Sequence, residues 1–338
     1  MTSNPNIMWF ITRAYICWSL AAVVATQASS LTVNELEHQA LSLALEEQYD
    51  EAVPLLEQAL RRDPTRIPVW ESLGWAYWHQ GHPERTRRLW KQLVLIAPDE
   101  PRAHNLLASY YLRRDQLTDS IRHYERSLEL DPQQTEIRFT LAQACRWSGH
   151  LRRAADLLSP LVEQYPERHD MRLELARALT SNWAYADALP HWAILRDDKP
   201  DALEYLIADA TVQLHTGQTT QALDLARQAL DRDSDNLLAL QVMADAREYG
   251  DTPARAVAWL RRMLVAADDE ADRQHIRSRL GLLFERLYRK DGERDHLVAA
   301  AALHGERVES DPENMDARLK HAEMNLLIGR HEIAYEAF

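Results

Sequence analysis

Five prolines recur at one fixed spacing, and this spacing constrains the fold more than any other feature of the chain. Each closes a polar turn such as RRDP or ELDP. The spacing is 34 residues throughout, at Pro64, Pro98, Pro132, Pro166 and Pro200. A period of about 20 to 50 residues indicates a repeat architecture in which each unit packs mainly on its neighbours. Because proline cannot continue a helix, we predict that a helix ends before each turn.

Two further positions share this period and carry small side chains. We assign one to the first helix of each unit, helix A, and the other to the second, helix B. A bulky side chain at either position would separate the paired helices, because protein cores are close-packed. The helix A set is Ala40, Gly74, Ala108, Ala142, Ala176, Ala210 and Ala244, and the helix B set is Ala52, Ser120, Ala154, Ala188, Ala222 and Ala256.

Glycines occupy a third position of the repeat, just after helix A. A residue that follows a helix commonly adopts a positive φ, which glycine does without steric cost. We therefore predict left-handed turns at Gly81, Gly149, Gly217 and Gly329.

The segment that begins at Ile67 links these features to a known family. Its Trp70, Leu73, Gly74 and Tyr77, followed by Pro98, resemble the tetratricopeptide (TPR) motif W-x2-L-G-x2-Y…A-x3-F…P, with Thr86 in place of the usual alanine. The resemblance implies an all-α fold, an α-solenoid wound as a right-handed superhelix, with about eight or nine helix-turn-helix units.

The repeat is regular over residues 31–270, which we interpret as about seven 34-residue units. After residue 270 the phase slips. The segment Arg279–Phe284 resembles another helix A core, yet the acidic turn at Pro312 comes about seven residues later than a 34-residue unit with that core would place it. We expect the extra residues to lengthen the loop or the helices near Arg289–Gly292. The register returns at Met315, so residues 271–338 are interpreted as irregular repeats with an incomplete last unit. That unit ends in apolar residues, which favours a fragment of a longer polypeptide over an end that docks on something else.

Residues 1–28 have the pattern of a targeting segment. An apolar run from Ala14 to Ala25 follows Arg13 and leads into small and polar residues. Its length suits a signal peptide, cleaved after Ala28, better than a membrane span. An uncleaved N-terminal membrane anchor is the alternative, and it would be the chain's only contact with a membrane. Both interpretations place the repeats in the bacterial envelope, periplasmic or secreted.

Composition and motifs exclude several classes of function. The net charge is −13, which disfavours nucleic acid as a partner, because binding to phosphates depends on many cations. Metalloprotease, serine hydrolase, nucleotide-binding and paired-cysteine motifs are absent from the sequence. We therefore predict no enzyme activity, no cofactor and no metal, and we interpret Cys145 as a buried core thiol.

The resemblance also implies where a partner would bind. In TPR proteins helix A lines a concave groove, so the matching positions are the candidate site. They combine aromatic, amide and guanidinium groups, which suits an extended protein or peptide segment and also a polysaccharide. The alternative is that Trp75, Trp78 and Trp147 pack between repeats. The candidates are Glu71, Trp75, Trp78, His79, Asn105, Ser109, Arg113, Phe139, Gln143, Arg146, Trp147 and Arg177.

Two functions are consistent with these observations. The first is a non-catalytic scaffold that mediates protein–protein interaction outside the cytoplasmic membrane. The second is the N-terminal TPR arm of a larger protein of exopolysaccharide synthesis, modification or export, in contact with the polymer. The resemblance to the second class concerns architecture alone.

Overall fold

The computed structural model describes residues 31–248 and 253–336, and within these ranges it contains helices and no strands. The predicted signal or anchor segment, residues 1–28, lies outside the described residues. The helices are α1 (Val33–Leu45), α2 (Tyr49–Arg62), α3 (Ile67–His79), α4 (Pro83–Ile96), α5 (Pro101–Arg113), α6 (Leu117–Leu130), α7 (Thr135–Trp147), α8 (Leu151–Gln164), α9 (His169–Ser181), α10 (Tyr185–Asp198), α11 (Leu203–His215), α12 (Thr219–Arg232), α13 (Leu237–Glu248), α14 (Pro253–Ala266), α15 (Glu270–Asp291), α16 (Arg294–Ser310), α17 (Met315–Ile328) and α18 (His331–Glu336).

These helices follow one another as consecutive A and B pairs, which confirms the predicted all-α solenoid class. In the first six pairs helix A has 13 residues and helix B has 14. Among the described residues, no helix combines the length and the apolar character that crossing a bilayer requires.

The chain divides into two compact units, Met1–Leu161 and Val162–Phe338. In the first unit, Leu36, Leu56 and Leu73 belong to one hydrophobic cluster, and Trp90 and Tyr110 belong to a second. In the second unit the larger cluster extends from Leu206 to Ile328, and a smaller one surrounds Trp192. Each unit therefore has its own core between its helices.

The small residues lie where the helices of a pair meet. Every alanine and serine of the two predicted sets has an exposed fraction of 0%. Thr86, the departure from the family motif, is also fully buried, and its hydroxyl donates to the carbonyl oxygen of Gly74 at 2.9 Å. Ser120 makes the equivalent bond to Ala108 at 3.0 Å. A buried hydroxyl is thus accepted at this position because a backbone oxygen satisfies it.

The turn after helix A has a left-handed residue in each of the first six pairs. The prediction is confirmed at Gly81, Gly149 and Gly217, with φ of 77°, 81° and 83°, and again at Gly329 with 90°. The equivalent positions of other repeats hold Glu47, Asp115 and Trp183, with φ of 61°, 56° and 62°. A non-glycine residue in this conformation costs about 1–2 kcal/mol, so the turn geometry prevails over the local preference.

The irregular region places its extra residues in helices. Helix α15 has 22 residues and α16 has 17, both longer than their counterparts in the regular repeats. Helix α15 ends at Asp291 and is capped by Gly292, which has a φ of 73°. The lengthening predicted near Arg289–Gly292 is therefore found in the helices.

Candidate functional site

The candidate residues lie on four helices of the A type. Helix α3 carries Glu71, Trp75, Trp78 and His79, helix α5 carries Asn105, Ser109 and Arg113, and helix α7 carries Phe139, Gln143, Arg146 and Trp147. These three helices belong to the first unit. Arg177 lies on α9 in the second unit and is described separately.

The two tryptophans of α3 are half-buried and pack against neighbouring rings. Trp75 meets Trp90 edge to face at a centroid distance of 5.1 Å, and the Arg113 guanidinium carbon lies 4.9 Å from the Trp75 ring. Trp78 meets Tyr110 edge to face at 5.9 Å. Both tryptophans therefore contribute to packing while part of each ring stays accessible, and the Arg113–Trp75 pair links α5 to α3.

Two polar candidates on α3 also contact their neighbours. The Arg102 Nε donates to Glu71 Oε2 at 2.8 Å, so the Glu71 carboxylate already has a cationic partner. The His79 ring stacks on Tyr49 at 4.9 Å, with the planes 8° apart. Both side chains therefore link adjacent repeats as well as lying at the candidate surface.

Asn105 is held in one orientation by Gln134. The Gln134 Nε2 donates to the carbonyl oxygens of Ser127 and Asp131 at 3.1 and 3.0 Å, so its Oε1 accepts from Asn105 Nδ2 at 2.7 Å. The Asn105 Oδ1 is buried and has no donor within the described residues. Ser109 donates to Leu106 O at 2.8 Å, which occupies its hydroxyl hydrogen.

Helix α7 presents the most accessible aromatic group among the candidates. Trp147 is 51% exposed, and the Arg146 guanidinium carbon lies 6.0 Å from its ring. Phe139 is only 9% exposed, so it acts mainly in packing, and Gln143 is half-buried. Trp147 is therefore the candidate with the largest free apolar surface.

Arg177 is engaged by carboxylates of the second unit. Its Nε donates to Glu204 at 3.2 Å, and its NH1 donates to Glu174 at 3.2 Å. Burial favours the neutral guanidine, but the hydrogen bonds and charges of these two carboxylates outweigh it and hold the pKa of Arg177 above its usual value. Its charge is thus balanced within the unit.

Sequence reasoning missed an aromatic cluster in the second unit. Trp183 is 75% exposed and meets Tyr185 edge to face at 6.1 Å, and Tyr185 stacks on His215 at 4.2 Å. The available signal was the alignment of Trp183 with Gly81, Gly149 and Gly217, since a tryptophan at a glycine position of the repeat is unusual.

One group of possible metal ligands occurs within the described residues. Asp291, Glu293 and His296 lie at the turn between α15 and α16. Asp291 Oδ1 accepts from the Glu293 backbone N–H at 3.0 Å and lies 3.2 Å from His296 Nδ1. These bonds explain the cluster as a local turn.

Comparisons with known proteins agree with this geometry. Residues 43–110 and 111–178 match a family model described as tetratricopeptide repeat. None of the curated protein sequences matches this chain. The chain is similar in structure to YrrB, with a TM-score of 0.51 and 14% identity over 56% of this chain and 97% of that one. It is also similar to a TPR protein from Parabacteroides merdae, with a TM-score of 0.46 and 14% identity over 89% of this chain and 98% of that one.

At this level of identity the likeness to YrrB concerns the fold alone. The family model covers repeats of the first unit and enters the second, and the same turn geometry and buried small residues continue in the later pairs. Residues 43–178 therefore match the tetratricopeptide repeat model, and the solved structure of YrrB shares the fold.

Proposed function

We propose that this chain is a non-catalytic scaffold that binds a protein partner on the surface formed by α3, α5 and α7. The observation that carries the proposal is the recurrence of arginine beside tryptophan on that surface, at Arg113 with Trp75 and at Arg146 with Trp147. Tryptophan and arginine dominate the energy of many protein interfaces, because they bury a large area and still form hydrogen bonds. The structure of YrrB is described as that of a TPR protein with an unusual peptide-binding site, which supports an extended segment as the partner.

The proposal includes a location outside the cytoplasmic membrane, in the periplasm or secreted. The support is the sequence of residues 1–28, in which an apolar run leads to small residues. Fractionation of the native cells, with an N-terminal sequence of the mature chain, tests this part separately from binding.

Photo-cross-linking in the native cells tests the binding surface. A benzoylphenylalanine at position 147 replaces an exposed aromatic residue with a photoreactive one of similar size. The control carries the same group at position 152, an exposed arginine on α8 in the first unit. We expect a defined protein adduct at position 147 and none at 152, whereas equal labelling at both positions would contradict the proposal.

A polysaccharide is the second candidate partner, as expected for the TPR arm of an exopolysaccharide synthesis, modification or export protein. The observation that favours it is the exposure of two indole rings, Trp147 and Trp183, since flat aromatic faces stack on sugar rings. Quenching of tryptophan fluorescence by purified bacterial exopolysaccharides, absent when Trp147 is changed to Ala, would support this partner over a protein.

A further inference from the structure

A hollow of about 430 Å³ lies between α4 and α6, the B helices of the second and third pairs, with α5 beneath it. Its lining includes Arg87, Lys91, Leu95, Tyr111, Arg122 and His123. All of these residues belong to the first unit and none is a residue of the α3, α5 and α7 surface proposed above. We propose that this hollow binds an acidic, partly apolar segment of a protein partner.

The positive charges around the hollow are not fully balanced by carboxylates of the described residues. Arg87 pairs with Glu84 at 2.7 Å and Arg122 pairs with Asp119, whereas Lys91 has no carboxylate partner within the described residues. The Arg87 Nε is buried and has no acceptor in the described part of the chain. Three cations with two carboxylates therefore leave excess positive charge in a chain whose net charge is −13. A carboxylate from a partner would balance it.

A pair of histidines adds a hydrogen-bond acceptor. The His104 Nε2 lies 2.9 Å from Pro98 O, so it must carry the hydrogen, because a carbonyl oxygen only accepts. In the neutral ring the His104 Nδ1 then accepts from His123 Nδ1, 3.2 Å away. The second ring nitrogen of His123 is left with a lone pair and makes no hydrogen bond within the described residues. Such an acceptor suits a backbone N–H, which an extended peptide supplies next to its side chains.

Apart from Gln116 and Asp119, the remaining lining is apolar. Val94 and Leu107 line the hollow together with the Tyr111 ring, which stacks on His123 at 5.7 Å. Leu95 also lines it and is 81% exposed. A free inorganic anion would use the cations and leave this apolar surface in water. A segment with alternating acidic and apolar side chains would use both, which is why the proposal names a peptide.

Fluorescence anisotropy with short labelled peptides tests the proposal on the full chain. We expect a peptide of alternating glutamate and leucine to bind more tightly than one of glutamate and serine, and a lysine–leucine peptide not to bind. Lys91→Glu should lower the affinity for the glutamate–leucine peptide by about tenfold or more. The matched control is Arg88→Glu, an exposed residue of the same helix that does not line the hollow, and it should change the affinity by less than about threefold.

Each other outcome would overturn the proposal. No binding of the glutamate–leucine peptide at millimolar concentration would contradict it directly. Equal losses of peptide affinity in Lys91→Glu and Arg88→Glu would indicate a general electrostatic attraction to the basic surface instead of a defined site. Displacement of the peptide by inorganic phosphate far more strongly than by chloride at equal ionic strength would identify a simple anion site. Circular dichroism of both variants checks that each is folded. Trp147→Ala should leave this binding unchanged, which separates the result from that of the proposed function.

Discussion

The indole Nε1 of Trp70 donates a hydrogen bond to the carbonyl oxygen of Pro64, 2.8 Å away. This bond ties helix α3 to the proline turn before it. In the next three repeats a different side chain at the same position donates the equivalent hydrogen bond to the proline carbonyl oxygen, at 2.7–2.9 Å. The pairs are His104 with Pro98, Arg138 with Pro132 and Arg172 with Pro166. Three chemically different side chains therefore perform one structural task, because each can place an N–H donor at the same carbonyl.

Removal of the Trp70 donor should weaken the first unit. In Trp70→Phe the aromatic packing is largely kept but the Pro64 oxygen loses its partner, so we expect the free energy of unfolding to fall by about 1 kcal/mol or more. Urea denaturation followed by circular dichroism measures the change. The comparison is Trp78→Phe, because the half-buried Trp78 indole N–H makes no hydrogen bond within the described residues. An equal loss of stability there would show that ring size matters instead.

A side chain at Gly74 should clash with Trp90. A Cβ atom at this position would overlap the indole ring of Trp90, which is fully buried and donates to Trp70 O at 3.1 Å. We expect Gly74→Ala to destabilise the chain by about 1–3 kcal/mol. Without the clash, alanine would stabilise a helix by about 1 kcal/mol relative to glycine, so a higher unfolding temperature would contradict this packing. Partial recovery in the double variant with Trp90→Phe would confirm the contact.

The left-handed turn predicts opposite effects at two equivalent positions. Trp183 has a φ of 62° and Gly149 a φ of 81°. We expect Trp183→Gly to raise the unfolding temperature slightly, by relief of about 1 kcal/mol of backbone strain. Gly149→Ala should lower it by a similar free energy, since no atom would touch the new Cβ and the backbone alone resists it. Destabilisation by Trp183→Gly would mean that the contact with Tyr185 outweighs the strain.

His123 should make stability depend on pH. Burial, followed by repulsion from His104 and Arg122, lowers its pKa from 6.5 to about 4. Between these two pKa values the unfolded chain binds more protons than the folded one. The contribution of neutral His123 to the free energy of unfolding is therefore complete above about pH 6.5 and is lost as the pH falls towards 4. Allowing for its partial exposure, we expect a loss on the order of 1–2 kcal/mol. His123→Gln should flatten the curve between about pH 6.5 and 5, and an unchanged slope would contradict the assignment.

The regular part of the fold was predictable because each position of the repeat obeys one physical constraint. Ala142 and Ala154 are fully buried as their spacing predicted, and the same period located the turn at Gly149. Trp183 was not predictable as a left-handed residue, because its local preference opposes that conformation and only the surrounding repeat enforces it. The network of Glu285, His304 and Lys320 in α15–α17 was missed for another reason: the phase slip removed the register that would have brought these residues together.

The sequence predicted which helices carry the candidate residues, but it did not predict how accessible each side chain is. Residue spacing placed Trp75 and Trp147 at two groove-lining positions of helix A, yet Trp75 is half-buried and Trp147 is 51% exposed. The difference comes from Trp90 and Arg113, which cover the Trp75 ring. Such cover depends on side-chain packing between helices, which the period alone does not specify. The candidate surface itself remains a prediction that binding experiments must test.

The most direct test of protein binding by the α3, α5 and α7 surface is calorimetric titration of the partner segment recovered by cross-linking at position 147. The titration compares the unmodified chain, Trp147→Ala and Arg152→Ala. We expect Trp147→Ala to weaken binding by about tenfold or more while its unfolding temperature stays nearly unchanged, because the ring is half exposed, and Arg152→Ala to bind as the unmodified chain does. Equal affinity of all three proteins would contradict the account.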